Sequence, residues 1–404
     1  MIVTQLRVTN FRNIASADFV PAPALTVICG KNGQGKTNLL ESVWMLTGSK
    51  SFRGARDIEL VREGCDFSVL EGCVTGDRPL CSPRKRQAAP EDSFAFVSAS
   101  APEPEQNAIH GADTNVYEKN IRIAVAGEGM QPRGRTAKVN GAPYGQATNL
   151  AGILTAVVFD PGHLSLIKGS PEGRRRFLDA ALCQLYPRYL PLLRQYGRLV
   201  TQKNALLKNY GATAGAGELL EVFNEKMAEY GTQISRQRQE YLNGIVPDAI
   251  KNYDDIANGG EKLCLAYEPC CADGALFSLL CAAKPRELAA GFCTAGPHRE
   301  DFSVYLDGRA AKTYASQGQQ RSAVLSLKLA EAAMAQRVTG EHPVMLLDDV
   351  LSELDETRQS YLLNRMEDKQ TIVTACDAGL FSRTNGRIYS MEQGILSAEA
   401  SVFH

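Results

Sequence analysis

The chain has 404 residues, 44% of them apolar, and a net charge of −1, which sets an expectation of two or three domains with sizeable cores. No apolar run approaches the ~20 residues of a membrane span, and Met1-Ile-Val-Thr-Gln5 enters a strand-like pattern without a signal-peptide apolar region, so a cytoplasmic protein with no membrane partner is expected. Eleven cysteines and five histidines show no paired metal spacing, and reduced thiols in cores are expected even for the densest group, Cys264, Cys270, Cys271 and Cys281.

Leu25-Thr-Val-Ile-Cys29 is a short, partly β-branched apolar run and reads as a buried strand. Gly30-Lys-Asn-Gly-Gln-Gly-Lys-Thr37 follows and fits the P-loop pattern G-x-x-x-x-G-K-[ST]; Thr37 to Leu46 then has helix-forming apolar spacing. Strand, glycine loop and helix are the context that turns the pattern into a mechanism. The glycines permit backbone angles that aim successive amides at phosphate oxygens, and the helix N-terminus adds partial positive charge. Gly30, Lys31, Asn32, Gly33, Gln34, Gly35, Lys36 and Thr37 are the candidate nucleotide-binding residues. Lys36 is placed to reach the β- and γ-phosphates and Thr37 to ligate Mg²⁺, so ATP and Mg²⁺ are the expected cofactors.

Residues 1 to about 168 mix short strands with turns. Ile121–Val125 and Thr136–Val139, before the turn dipeptide Asn140-Gly141, read as antiparallel strands with a hairpin turn. Residues 79–112 are rich in Pro, Ala, Ser and charge and read as a mobile insertion. From about 172 to 245 the texture is helical. Tyr189, Leu192, Leu193, Tyr196, Leu199 and Val200 make one stripe; Leu219, Val222, Phe223, Met227, Tyr230 and Ile234 make another. Gly211–Gly217 separates them, which predicts an antiparallel helical hairpin.

Strand and helix alternation returns after about 295. Tyr314–Ser322 opens a helix whose positions Ala323, Leu327, Ala330 and Met334 predict one buried face. Val344-Met-Leu-Leu347 then leads into Asp348-Asp349, the Walker B form. Such a strand delivers Asp348 to Mg²⁺, with Asp349 set to orient the attacking water. On an extended segment the two side chains leave in different directions.

Ser316-Gln-Gly-Gln319, at a helix start just upstream of Walker B, resembles the signature motif of ABC-type ATPases. Ser352-Glu-Leu-Asp355 resembles the D-loop, and Thr371–Asp377 occupies the place of the switch strand. A transporter ATPase should carry Leu-Ser-Gly-Gly-Gln and a switch histidine; here Asp377 stands instead. Leu6–Asn13, Asn38–Glu41, Gly48–Arg53, Val158–Pro161, Leu166–Pro171, Arg174–Asp179, Gly296–Arg299, Ser316–Gln320 and Leu347–Asp355 follow one another in family order over most of the chain. This ordered set resembles the RecF family of bacterial recombination mediator ATPases.

The resemblance implies an α/β fold: a P-loop ABC-type ATPase head, mixed sheet plus antiparallel lobe, with an inserted α-helical arm. The head would comprise residues 1–168 and 295–404 and the arm 169–294, far too short for the coiled coils of chromosome-structuring relatives. It implies a homodimer closed by ATP held between Lys36 of one copy and Ser316 of the other. Lys36, Ser316 and Asp349 would be catalytic, Thr37 and Asp348 would hold Mg²⁺, and a weak DNA-stimulated ATPase would serve a binding switch. Single- and double-stranded DNA or gap junctions, RecR and RecO would be the partners, promoting RecA loading and the SOS response. The alternative is another ABC-type ATPase, SMC-like or a transporter subunit, outside recombination. With a net charge of −1, any DNA surface must come from clusters: Arg7 with Arg12, Arg53 with Arg56, Arg133 with Arg135 and Lys138, and Arg174–Arg176. Weak monomer binding, doubled in a dimer, is expected.

Overall fold

The computed structural model describes residues 1–77, 116–131, 133–257, 259–377, 379–381 and 386–398; the insertion expected at 79–112 lies outside them. Strands β1 (Ile2–Phe11) and β2 (Ile14–Phe19) open an antiparallel sheet, and β3 (Leu25–Cys29) starts a second sheet. Strands β4 (Phe67–Gly76), β5 (Tyr117–Ala126), β6 (Arg135–Val139) and β7 (Ala142–Gln146) complete the first sheet in the order β2-β1-β4-β5-β6-β7. The turn at Asn140-Gly141 has φ of 50° and 82°, as an Asn-Gly hairpin requires, and joins β6 to β7, while β5 and β6 pair antiparallel as expected.

Strand β8 (Ala156–Phe159) belongs to the second sheet, whereas β9 (Leu263–Glu268), β10 (Asp301–Leu306) and β11 (Arg309–Ala310) form a small third one. The second sheet gains β12 (Val344–Asp348), β13 (Thr371–Ala375), β14 (Gly386–Glu392) and β15 (Ile395–Ala398), in the order β15-β14-β3-β13-β12-β8. All its neighbours are parallel except the β14–β15 edge. Its strands read as unbroken apolar runs because both faces are covered. Val27, Met345, Leu347 and Val373 enter one core, while Ile28, Val344, Leu346 and Ile372 enter the other. Helix α1 (Lys36–Met45) buries Leu39, Leu40, Val43 and Trp44 in the core beneath the antiparallel sheet.

Helices cover the opposite face: α2 (Ser165–Lys168), α3 (Pro171–Leu185), α4 (Tyr189–Lys208), α5 (Ala216–Ala257), α6 (Leu276–Ala282), α7 (Lys284–Ala290), α8 (Ala311–Tyr314), α9 (Gln317–Thr339) and α10 (Glu356–Asn364). Helices α4 and α5 form the expected hairpin, and α4 buries Tyr189, Leu192 and Tyr196. The second stripe holds except at its start. Met227 and Ile234 are buried as expected and Phe223 and Tyr230 pack half-buried on the same core, but Leu219 and Val222 are exposed, and Leu220, Asn224, Gly231, Arg238 and Tyr241 share the buried face. Polar residues share the buried face because they have partners there: Asn224 with Cys281, and Arg238 with Asp179 at 2.8 Å through two nitrogens. Gly231 is enclosed because a Cβ would lie 2.6 Å from Leu276. Helix α5 also runs past the expected end at 245, through Pro247, because Ile245, Ala249, Tyr253 and Ile256 remain buried and α5 packs along α9.

Helix α9 departs from the one-face expectation, since Ser322 to Ala332 are all buried. It lies against both β8 and α5, so it has no solvent side over this stretch. The thiols also differ from expectation. Of the ten described cysteines only Cys29 and Cys293 are buried, and Cys264, Cys281 and Cys376 are exposed. Strand alternation turns Cys264 outward between buried Leu263 and Leu265. Among the described residues no helix is long and apolar enough to cross a membrane, and no group of three or more His, Cys, Asp or Glu could hold a metal ion.

His298 joins the helical layer to the segment before β10. Its Nδ1 lies 2.9 Å from the Tyr196 hydroxyl and its Nε2 3.3 Å from the Cys293 carbonyl, an arrangement that a neutral ring satisfies. Burial pushes this imidazole down to about 4 from its ordinary 6.5. As pH falls, the unfolded chain therefore takes up the proton first. The contribution to stability is complete above pH 6.5 and is lost between 6.5 and about 4. Denaturant unfolding at about pH 7.5 and about pH 4.5 should show His298→Gln losing roughly 2 kcal/mol less across that interval than the parent.

Candidate functional site

Strand β3 ends at the glycine loop, whose Gly30, Gly33 and Gly35 have φ of 151°, 81° and 115°. These angles are reserved for glycine, and space demands it too. A Cβ on Gly30 would lie 2.3 Å from the Met391 carbonyl oxygen, and one on Gly35 2.9 Å from the Asn13 side chain. Gly35 caps α1 without a side-chain partner for its first amides, so a ten-residue helix presents free N–H groups to the loop. Lys36 is buried and folds back, donating to the Gly30 carbonyl and, at 3.1 Å, to the Lys31 carbonyl.

Walker B meets this loop directly. Thr37 donates its hydroxyl to Asp348 Oδ1 at 2.8 Å, and Thr374 on β13 donates to the same oxygen at 2.8 Å. Burial raises the Asp348 carboxyl above its ordinary value, while the two hydroxyls pull it down. Asp349 sits just past the strand in the left-handed region, φ 51°. The chain is therefore not extended there, but the carboxylates still diverge. The Asp349 amide donates to Thr374 Oγ1 at 2.9 Å, and its carboxylate lies 3.3 Å from the Ser352 hydroxyl. A loop of inward amides, a buried lysine and a Thr–Asp pair at its mouth fit a triphosphate with a divalent cation.

Ser316 lies apart from this convergence. It is exposed and caps α9 in a reciprocal box, accepting from the Gln319 amide at 3.2 Å while Gln319 Oε1 accepts from the Ser316 amide at 2.6 Å. Behind the cap, Arg358 donates to Ser322 at 2.9 Å and pairs with Asp355, and Arg321 pairs with Glu353. The signature and D-loop segments thus form one unit. Tyr314, just before the cap, is 68% exposed.

Several participants lie in recognised segments without being marked as site residues. Thr374 lies in the segment that takes the place of the switch strand, but nothing in that segment singles it out. Asn13 donates to the Gln34 carbonyl at 3.1 Å and accepts from Asn38 at 2.7 Å. At the end of β13 the side chain beside the loop is Cys376, not Asp377: its sulfur is 3.1 Å from Asn32 Oδ1 and 3.9 Å from Lys36 Nζ. Asp377 instead accepts from the Gly379 amide.

The basic clusters are largely spent on internal partners. Arg7 pairs with Asp18, Arg12 with Glu41, Arg56 with Glu59, Arg135 with Asp57, Arg174 with Asp301 and Arg176 with Glu172. Arg175 donates to the Glu300 carbonyl at 2.7 Å. Lys138 stays on the exposed side of β6.

Sheet order, glycine loop and Walker B strand define the class: an ABC-type P-loop ATPase head carrying a helical layer. A family model described as the RecF/RecN/SMC N terminal domain matches residues 2–397. The DNA replication and repair protein RecF of Agathobacter rectalis is 35% identical over 93% of this chain and 92% of its own length. That of Halalkalibacterium halodurans is 33% identical over 98% and 99%. A solved structure of the recombination mediator protein RecF with ATP, from the RecFOR pathway, superposes with a TM-score of 0.82 at 30% identity, covering 98% of this chain and 97% of that one. The chain belongs to the RecF family of DNA replication and repair proteins.

Arg12 ties this site to the antiparallel sheet. It donates to fully buried Glu41 on α1 at 2.5 and 3.1 Å, and Ser51 donates to the same carboxylate. Arg12→Ala leaves that carboxylate buried without its cation, which costs on the order of 3 kcal/mol. Denaturant midpoints should fall accordingly, and Glu41→Gln combined with Arg12→Ala should recover part of the loss.

Proposed function

We propose that this protein is an ATP-dependent DNA-binding switch of recombinational repair and replication, working as a dimer in the cytoplasm. The observation that carries this reading is the convergence of Thr37, Asp348 and Thr374 at the mouth of the glycine loop, in a chain whose relatives are RecF proteins. The loop amides and Lys36 would hold the triphosphate of ATP. Lys36 would exchange the carbonyls of Gly30 and Lys31 for phosphate oxygens. Thr37 and Asp348 would hold Mg²⁺, which neutralises phosphate charge when bound. Asp349 would accept a proton from the attacking water. Its carboxylate is one methylene shorter than the glutamate usual at that position, which suits slow turnover.

Ser316 would complete the site from a second copy, because its hydroxyl meets only its own helix cap and Tyr314 beside it faces solvent. With most arginines of the described basic clusters paired internally, one copy offers DNA a weak surface and two copies joined by ATP offer a stronger one. In this reading residues 169–294 act as an arm beside the head. RecR and RecO would be the protein partners, with RecA loading and the SOS response downstream.

Ser316→Arg should bind ATP like the parent and fail to dimerise, as light scattering with and without ATP would show; dimerisation at the parental level would remove the composite site. Asp349→Asn keeps the shape and loses the acceptor charge. Its hydrolysis should fall by roughly 10²-fold or more, with ATP-bound dimer accumulating on DNA in a mobility-shift measurement. Hydrolysis at the parental rate would place the base elsewhere.

A further inference from the structure

Among the crowded cysteines Cys264, Cys270, Cys271 and Cys281, the loop between β9 and α6 sets two side by side. The Cys270 and Cys271 sulfurs are 4.0 Å apart, and both side chains are half-buried. Glu300, just before β10, lies against them and is itself buried. Its carboxylate accepts from neutral donors: the Ser235 hydroxyl at 2.8 and 2.9 Å, the Tyr267 hydroxyl at 2.5 Å, and the amide and thiol of Cys270, both at 3.2 Å. The amide bond anchors the loop and the thiol bond anchors one sulfur. Burial and the Glu300 charge push the Cys270 thiol well above its ordinary range, so it keeps its proton at neutral pH.

A direct disulfide suits this pair poorly. Adjacent Cα atoms are about 3.8 Å apart, less than a disulfide normally spans, and the sulfurs would have to close to about 2 Å. A metal cation suits it no better. It needs thiolates, which the Glu300 carboxylate disfavours, and it needs further ligands; no group of three or more His, Cys, Asp or Glu among the described residues could hold one. A single thiophilic atom bonded covalently to both sulfurs meets neither obstacle. With sulfur bonds of about 2.3 Å, the zinc–thiolate length, it would set the sulfurs about 3.3–3.8 Å apart, close to the separation already present. We propose that Cys270 and Cys271 form a dithiol site for trivalent arsenic, as arsenous acid or a monosubstituted arsenical. Both S–H bonds break and two As–S bonds form. The thiol protons leave with oxygen from arsenic, as one water from an arsenical oxide or two from arsenous acid, and nothing is oxidised or reduced. The third bond of arsenic stays with its own carbon or hydroxyl, so no third protein ligand is required. The product puts no thiolate charge beside Glu300, which keeps Ser235, Tyr267 and the Cys270 amide as donors.

Intact-mass measurement of the reduced full chain with phenylarsine oxide, in excess mercaptoethanol, tests the pair. One adduct should form with loss of one water, survive the monothiol and leave when dithiothreitol is added. Cys270→Ser, whose hydroxyl can still donate to Glu300, and Cys271→Ser should each lower retention by roughly 10²-fold, because a second tethered sulfur raises affinity by about that order. Cys281→Ser should retain the adduct like the parent. If either Cys270→Ser or Cys271→Ser keeps the adduct at the parental level, the arsenic lies elsewhere and the proposal falls. It falls too if the folded chain retains the adduct no better than the chain unfolded in urea, since the site would then owe nothing to the fold.

Discussion

Parallel pairing of β3 with β13 and of β13 with β12 is the constraint on which the rest of the molecule depends. Parallel neighbours end on the same side of a sheet, so the glycine loop after β3 and the carboxylates after β12 emerge together although Thr37 and Asp348 are 311 positions apart. Thr374 on the strand between them then has one place to put its hydroxyl, and it takes the Asp348 oxygen on one side and the Asp349 amide on the other. Parallel strands also require covered faces. The antiparallel sheet with α1 supplies one cover and the helices supply the other. The site is therefore as well fixed as the two cores that flank its sheet.

The helical cover is held by more than apolar contact. Arg238 of α5 is buried, with Asp179 of α3 taking two of its nitrogens and the Pro297 carbonyl a third at 2.7 Å. The Tyr189 hydroxyl of α4 donates to the same Asp179 at 2.5 Å. Three helices and the segment before β10 thus meet at one charged node. A charge in that position is tolerable because every partner is present, and removing any one would strand the others. Lys203 and Glu287, fully buried and 2.7 Å apart, form a second buried ion pair between α4 and α7, but the Lys203 ammonium and Glu287 Oε2 make no hydrogen bond.

Internal pairing also decides what the surface can offer. Among the described clusters, Arg12, Arg135 and Arg174 are spent on acids of the same chain and offer no free cation. Exposed pairs such as Arg7–Asp18 and Arg56–Glu59 contribute little to stability, but they lower the attraction of a single copy for a polyanion. Under the proposed function, affinity for DNA would depend on how many copies are presented together, which would link the electrostatics of the surface to occupancy of the glycine loop.

The sequence by itself determined whatever rests on local backbone chemistry. Gly30, Gly33 and Gly35 had to turn where they do, Leu25–Cys29 and Val344–Asp348 had to be strands covered on both faces, and Asn140-Gly141 had to reverse the chain. It did not reveal where polar residues earn burial. The stripe of α5 held at Met227 and Ile234 but not at Leu219 and Val222, and Asn224 and Arg238, with partners on other helices, joined the inner face. The single buried face foreseen for α9 became a helix enclosed by both β8 and α5, since periodicity cannot count neighbours. Pro247 was carried through α5 by packing that no local rule contains. Thr374 and Cys376 reached the glycine loop only through sheet order. Their local sequence is ordinary, and their place was decided by which strands lie side by side.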